Sequence, residues 1–325
     1  MRFFLITVLL ATVALTSGCT KIRQFDRFFL SECAEDGPNP EKEFDIALPP
    51  VDLSEHLDRL RQEAAGFSLN TIAEVPYRDR VWPIYLASKS GSKGGKRLLI
   101  IAGVHGNEVA GALAAPSILS DVRAYPEIYG GLHLDLIGPA NPVGLLHGAR
   151  YNAQGCDINR DFANFATIEA RAIREVIDET RPDLILSLHE GPHDGFFVIA
   201  TRSTPSLLAE AVAAELKSSG IELATHSNLG SRLSVPGVME EGWFITGAKT
   251  VLRISSLGAY AHQSSTPFLT TEGPWGLSDI DYRVRAQILA VRAAAKQLVS
   301  GASRLGTFSA GAEVQEASYN VLSVN

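Results

Sequence analysis

Four short stretches hold residue types that can do chemistry together: "VHGNE" (104–108), "GARYNAQGCDINRDF" (148–162), "LSLHEGPH" (186–193) and "FLTTEGP" (268–274). In the first, His105 and Glu108 stand three apart, directly after the apolar run "RLLIIAG". Alone the pair has an ordinary reading, because a Glu at a helix start suits the positive end of the helix dipole. His189 changes that reading, since it ends a second apolar run. A His and a Glu close in sequence plus a distant His is the ligand set of a catalytic zinc, with a fourth position open to water. Such a centre lowers the pKa of a water and polarises a carbonyl, but it needs a base for the proton and a cation for the oxyanion. Glu272 is available as the base and Arg150 as the oxyanion donor.

Positioning these residues takes a sheet whose strands end together. From residue 53 the chain alternates. Helical "LSEHLDRLRQEAAGF" (53–67) is followed by strands near 81–87 and 97–104, the helical run "NEVAGALAAPSILSDV", and the strand "LHLDLIG" (132–138). Then come a helix at 167–181, strands at 183–189 and 195–202, the helix "LLAEAVAAELKSSG", strands "TVLRISS" and "FLTTE", and a long helix at 279–300. Continuous apolar strands alternating with helices predict an α/β domain over 51–300, with a mixed, mostly parallel central sheet and helices on both faces. In open α/β sheets reacting groups gather beyond the carboxyl ends of the strands, which is where all four stretches fall.

Composition narrows the partners. The chain has 325 residues, 46% hydrophobic and 20% charged, with a formal net charge of −7, and no basic run interleaved with aromatics, so a nucleic-acid role has no support. A small-molecule or peptide substrate fits better. A serine hydrolase lacks its signal, because no Gly-x-Ser-x-Gly occurs.

The N-terminus reads as an export signal: Arg2, then "FFLITVLLATVAL", then "TSGC", with too few apolar residues before Cys19 for a membrane span of about 20 residues. "LTSGC" resembles the bacterial lipoprotein signal, with Thr16 where Leu is usual. It implies residues 1–18 as a leader, a lipid on Cys19 and a place at the cell envelope, outside the cytoplasm. Plain secretion with cleavage near Ser17 is the alternative. Residues 19–50, with "AEDGPNPEKEF" and "LPP", read as a spacer, and 301–325 as a small, polar tail. In an oxidising compartment Cys33 and Cys156 are open to pairing, with free buried thiols the alternative.

"HGNE", then "NP" (141–142), "RY…DINRDF", "LH" and "TEGP", in this order, resemble the zinc carboxypeptidases of the carboxypeptidase A type, nearest their succinylglutamate desuccinylase and aspartoacylase branch. The likeness runs from about residue 97 to 300. It implies the phosphorylase/hydrolase-like fold of that family, with zinc on His105, Glu108 and His189, Glu272 as general base and acid, and Arg150 on the oxyanion. It further implies Asn159 and Arg160 as holders of the substrate's free carboxylate, a task suited to the planar guanidinium fork. The family's substrate-side tyrosine has Tyr260 in "LGAYAHQ" as its candidate, the alternative there being a buried aromatic. Glu190, His193 and His262 read as loop structure or pocket rim, and Asp161 as a partner of Arg160 or a helix cap. The aspartoacylase branch usually carries a further C-terminal β domain, and the final helix takes up much of the chain after Glu272. An open pocket is therefore expected, which favours a peptide or peptidoglycan fragment. An N-acyl amino acid deacylase and a non-catalytic ligand-binding lipoprotein are the alternatives.

Overall fold

The computed structural model describes residues 51–227, 230–240, 255–277 and 279–301. The leader, the spacer, most of the strand expected at "TVLRISS" and nearly all of the tail lie outside the described residues. In chain order the elements are α1 (Leu53–Glu63), β1 (Ser68–Tyr77), β2 (Arg80–Lys89), β3 (Arg97–Ala102), α2 (Val109–Ala124), α3 (Pro126–Tyr129), β4 (His133–Gly138) and α4 (Pro142–His147). After these come α5 (Ile168–Thr180), β5 (Leu184–Gly191), β6 (Phe197–Ala200), α6 (Ser206–Ser218), β7 (Val238–Glu240), α7 (Leu257–Gln263), β8 (Phe268–Pro274) and α8 (Ile280–Ser300).

One eight-stranded sheet runs in the order β1-β2-β4-β3-β5-β8-β6-β7. β4, β3, β5 and β8 form its parallel centre, whereas β1 and β2 pair antiparallel on one side and β6 meets β8 antiparallel on the other. The reason is legible in the side chains. β5 is buried at every position and β3 at all but its first, as expected of strands covered by helices on both faces. β1 buries only Val75 fully, so it sits at the edge without the alternation that would announce it in sequence.

Because β3, β5 and β8 are parallel, their carboxyl ends meet at one edge of the sheet. The chain leaves β3 through Gly103, whose φ of +74° belongs to the left-handed region that glycine tolerates. Gly106 follows, packed so closely on α4 that a Cβ there would stand 1.8 Å from the Gly144 carbonyl carbon. No other residue fits between His105 and Asn107 without moving α4. The same contact brings the chain after α4, which carries Arg150, back over the sheet edge.

Candidate metal centre

His105 and Glu108 flank the turn from β3 into α2, and His189 stands near the end of the neighbouring β5. All three are buried, and the ligand atoms that they offer lie within 4.8 Å of one another. The Glu108 carboxylate bridges the two rings, with Oε1 2.7 Å from His105 Nδ1 and Oε2 2.6 Å from His189 Nδ1. The outer ring nitrogens are held as well: His105 Nε2 lies 3.1 Å from Asp157 Oδ1, and His189 Nε2 lies 2.9 Å from Ser187 Oγ. Partners on the outer nitrogen fix ring orientation and tautomer in metal-binding histidines, leaving the inner nitrogen for the ion. Three converging donors with their far sides held are what a divalent cation requires.

The electrostatics agree. Burial and the Arg150 charge both push the His105 pKa down, but the Glu108 and Asp157 carboxylates outweigh them and raise it. Burial alone would raise Glu108, yet the two imidazoles hold its carboxyl well below the usual range. Desolvation likewise opposes ionisation of Asp157, and Arg150, Arg160 and His105 overcome it.

Arg150 leans over this cluster. Its Nε donates to Asp157 Oδ2 at 2.9 Å, and its Nη1 lies 3.3 Å from both Glu108 Oε1 and His105 Nδ1. A guanidinium at that place would face charge developing on an oxygen beside an ion, were one held by these residues. Asn159 and Arg160 occupy a short 3-10 turn, Ile158–Arg160, capped by Asp157, whose Oδ1 accepts from the Asn159 amide. Asn159 Oδ1 accepts from the Leu257 N–H at 2.9 Å and so ties the start of α7 to this turn. Arg160, 8% exposed, has its Nη1 4.0 Å from Asp157 Oδ2. Asp161 does not pair with it: its carboxylate accepts from the Ala166 and Thr167 amides and the Thr167 hydroxyl, capping the approach to α5.

Glu272 stands on β8 directly across from His189 in the parallel register, its side chain 14% exposed. Tyr260 is not brought to this cluster. Its hydroxyl donates to Asp178 on α5 at 2.5 Å, and its ring packs on Phe162 and Phe165.

Several residues at this edge carry no distinct sequence signal. Asp157 and Ser187 are the outer partners just described. Gln287 on α8 is fully buried; it donates to the His189 carbonyl at 2.8 Å and accepts from the Thr271 hydroxyl at 2.6 Å, clamping β5 to β8. Glu190, expected from the sequence in a loop or at the pocket rim, is instead a buried residue of β5; it points the other way from His189, accepts from the Ala110 amide at 2.8 Å at the start of α2, and lies 3.3 Å from Arg283 Nε. Burial raises its carboxyl to about 7 against the pull of Arg283. Cys156, beside Asp157, is disulfide-bonded; Cys19 and Cys33, the other two cysteines, lie outside the described residues.

Residues 94–232 match the succinylglutamate desuccinylase/aspartoacylase catalytic domain. That match spans less than half of the chain. Other proteins are similar to this chain as well. A carboxypeptidase 2 from Trichophyton rubrum is 28% identical over 135 residues, which is 39% of this chain but only 24% of the relative. A protein from Shewanella denitrificans OS217 described as a candidate metallopeptidase superposes with a TM-score of 0.63 at 23% identity, covering 76% of this chain and 91% of its own. A Pseudomonas aeruginosa metallo-carboxypeptidase in complex with (2-guanidinoethylmercapto)succinic acid superposes with a TM-score of 0.54 at 18% identity, covering 77% and 69%. These two likenesses show a carboxypeptidase-like fold for this chain.

Proposed function

We propose that the protein is a zinc-dependent hydrolase that cleaves an amide bond next to a free carboxylate, in the manner of a metallocarboxypeptidase, on peptides or peptidoglycan fragments outside the cytoplasm. The observation that carries this reading is one sheet edge holding a His-Glu-His donor set, a carboxylate in register beside it and arginines above it. When bound by His105, Glu108 and His189, zinc supplies the Lewis acidity that activates a water and polarises the scissile carbonyl. Glu272 takes the proton from the attacking water and returns it to the leaving amine. Arg150 receives the charge that forms on the carbonyl oxygen. Asn159 offers an amide NH2 that makes no hydrogen bond within the described residues, and with Arg160 it holds the substrate carboxylate.

Export and attachment through a lipid on Cys19 belong to the same reading, supported by the leader-like N-terminus and by a disulfide at Cys156, which fits an oxidising compartment. Deacylation of an N-acyl amino acid is the second reading, favoured by the desuccinylase/aspartoacylase match over residues 94–232.

Kinetics on a matched pair of peptides, one with a free C-terminal carboxylate and one amidated, test the proposal. The free acid is expected to be cut faster by roughly 30-fold or more, because an amide loses the charge-assisted hydrogen bonds that a carboxylate makes to a buried guanidinium, at a cost of about 2 to 5 kcal/mol. Glu272→Gln is expected to keep metal and substrate affinity while turnover falls roughly 100-fold or more. Equal rates on acid and amide, or activity on N-acetylaspartate with none on the peptide, remove the carboxypeptidase reading.

A further inference from the structure

His193 lies in the turn between β5 and β6 and is not a metal ligand, yet its side chain is only 2% exposed. Three features hold it inside. Its backbone N–H donates to the Gly191 carbonyl at 2.8 Å, closing a tight turn. Its ring meets the Phe197 ring edge-on, with centroids 4.6 Å apart at 62°. Gly191 lets the ring fold back, since a Cβ there would stand 2.3 Å from His193 Nε2. Phe197 is itself the register partner of Glu272 across the antiparallel β6–β8 ladder, so the ring rests on the residue beside the base. The imidazole thereby places Nε2 3.4 Å from Glu272 Oε2.

We propose that His193 is the positioning residue of Glu272, an inference that rests on the role given to Glu272 above. Among the described residues, His193 provides the one hydrogen bond to the Glu272 carboxylate. A general base must present one carboxylate oxygen to the attacking water in a fixed rotamer, and a terminal carboxylate torsion is broad unless something restrains it. An imidazole N–H donating from Nε2 to Oε2 restrains it and leaves Oε1 for the proton. The donor is a nitrogen on a ring wedged against Phe197, so it holds one place. Hydrogen bonds in catalytic sites are commonly long before substrate binds, which fits the separation observed. Near this corner Glu190 from β5 and Arg283 from α8 face one another, and Asp194 follows His193 in the chain.

Two variants separate positioning from packing. His193→Phe keeps a ring against Phe197 and removes the donor, whereas His193→Gln keeps an N–H at a similar reach. In the metal-loaded enzyme, His193→Phe is expected to lower kcat roughly 10- to 100-fold with KM within about twofold of wild type, and His193→Gln to stay within about threefold of wild-type kcat. Both variants are expected to hold the same metal content as wild type. Crystal structures of the two metal-loaded variants give a readout that needs no turnover: Glu272 in a single rotamer in His193→Gln and in more than one in His193→Phe. Should the wild type cut none of the peptides, the proposed function fails and the rotamers alone decide the positioning role. A single, wild-type Glu272 rotamer in His193→Phe overturns that role. So does a His193→Gln whose kcat falls as far as that of His193→Phe.

Discussion

His56 and His105 are both buried histidines, 6% and 2% exposed, and their surroundings drive them in opposite directions. His56 sits on the inner face of α1, with no hydrogen-bond partner for its Nε2 among the described residues; burial, with Arg59 nearby, lowers its pKa to about 4. His105 has a carboxylate on each ring nitrogen, and its pKa rises despite equal or deeper burial. The contrast teaches what marks a functional histidine in this protein. Burial alone yields a neutral ring that serves as packing, whereas burial between carboxylates yields a ring whose inner nitrogen is suited to a cation, either a proton or a metal.

The largest effect is expected where the second environment is destroyed. His189→Ala removes one of three donors from the bridge at Glu108, so the purified protein is expected to lose its metal, about one ion per chain, and its turnover with it. Metal analysis beside activity checks this, and stoichiometric metal in a His105→Ala, His189→Ala double variant would falsify the ligand assignment. A smaller effect is expected from Asp157→Asn, which takes the charge from one side of His105 and moves it part-way toward the situation of His56. Metal affinity is expected to drop about 10- to 100-fold in chelator competition. Unchanged affinity would mean that Asp157 merely organises the turn.

The smallest effect lies on the His56 side. Its folded pKa of about 4 is below the 6.5 of a free imidazole, so the unfolded chain takes up a proton first as pH falls. The stability attached to the neutral ring is therefore present above pH 6.5 and lost between 6.5 and 4, amounting to about 2 kcal/mol by pH 5. His56→Leu is expected to flatten that part of the stability profile in denaturant titrations at pH 7 and pH 5, without touching metal content. A slope equal to that of wild type would show that the ring is already charged in the folded state.

Much of this contrast could be seen in the sequence, though unevenly. The apolar runs at 97–104, 132–138 and 183–189 became β3, β4 and β5, because strands covered on both faces must be apolar throughout. β1, α4 and α7 gave no such signal. β1 is mostly exposed, and α4 and α7 are short helices of 6 and 7 residues, below the length at which periodicity is distinct. The helix expected over 53–67 stops at Glu63, where the chain turns into β1. Tyr260, the candidate for a substrate contact, lies on α7 and spends its hydroxyl on Asp178, since the helix faces α5 and its aromatic neighbours there.

The sequence by itself determined the chemical types and their local spacing: His105 three residues before Glu108, Asn159 beside Arg160, and the His105, His189 and Glu272 motifs at strand ends. The stretch 148–162, also expected at a strand end, follows α4 instead. Local spacing translates directly into local geometry, because a strand end followed by a helix start has few conformations available. Only the tertiary structure decided which distant groups face one another. Asp157 reaches His105 across 52 residues because α4 packs on Gly106 and swings the following loop over the sheet edge. Glu272 stands beside His189 because β8 joins β5 in parallel, a register held by Gln287 from α8. His193 meets Glu272 because β6 pairs on the far side of β8 and carries Phe197 beneath the ring. Strand order and register are set by how the whole apolar set of the sheet is buried at once, and no single motif contains that information.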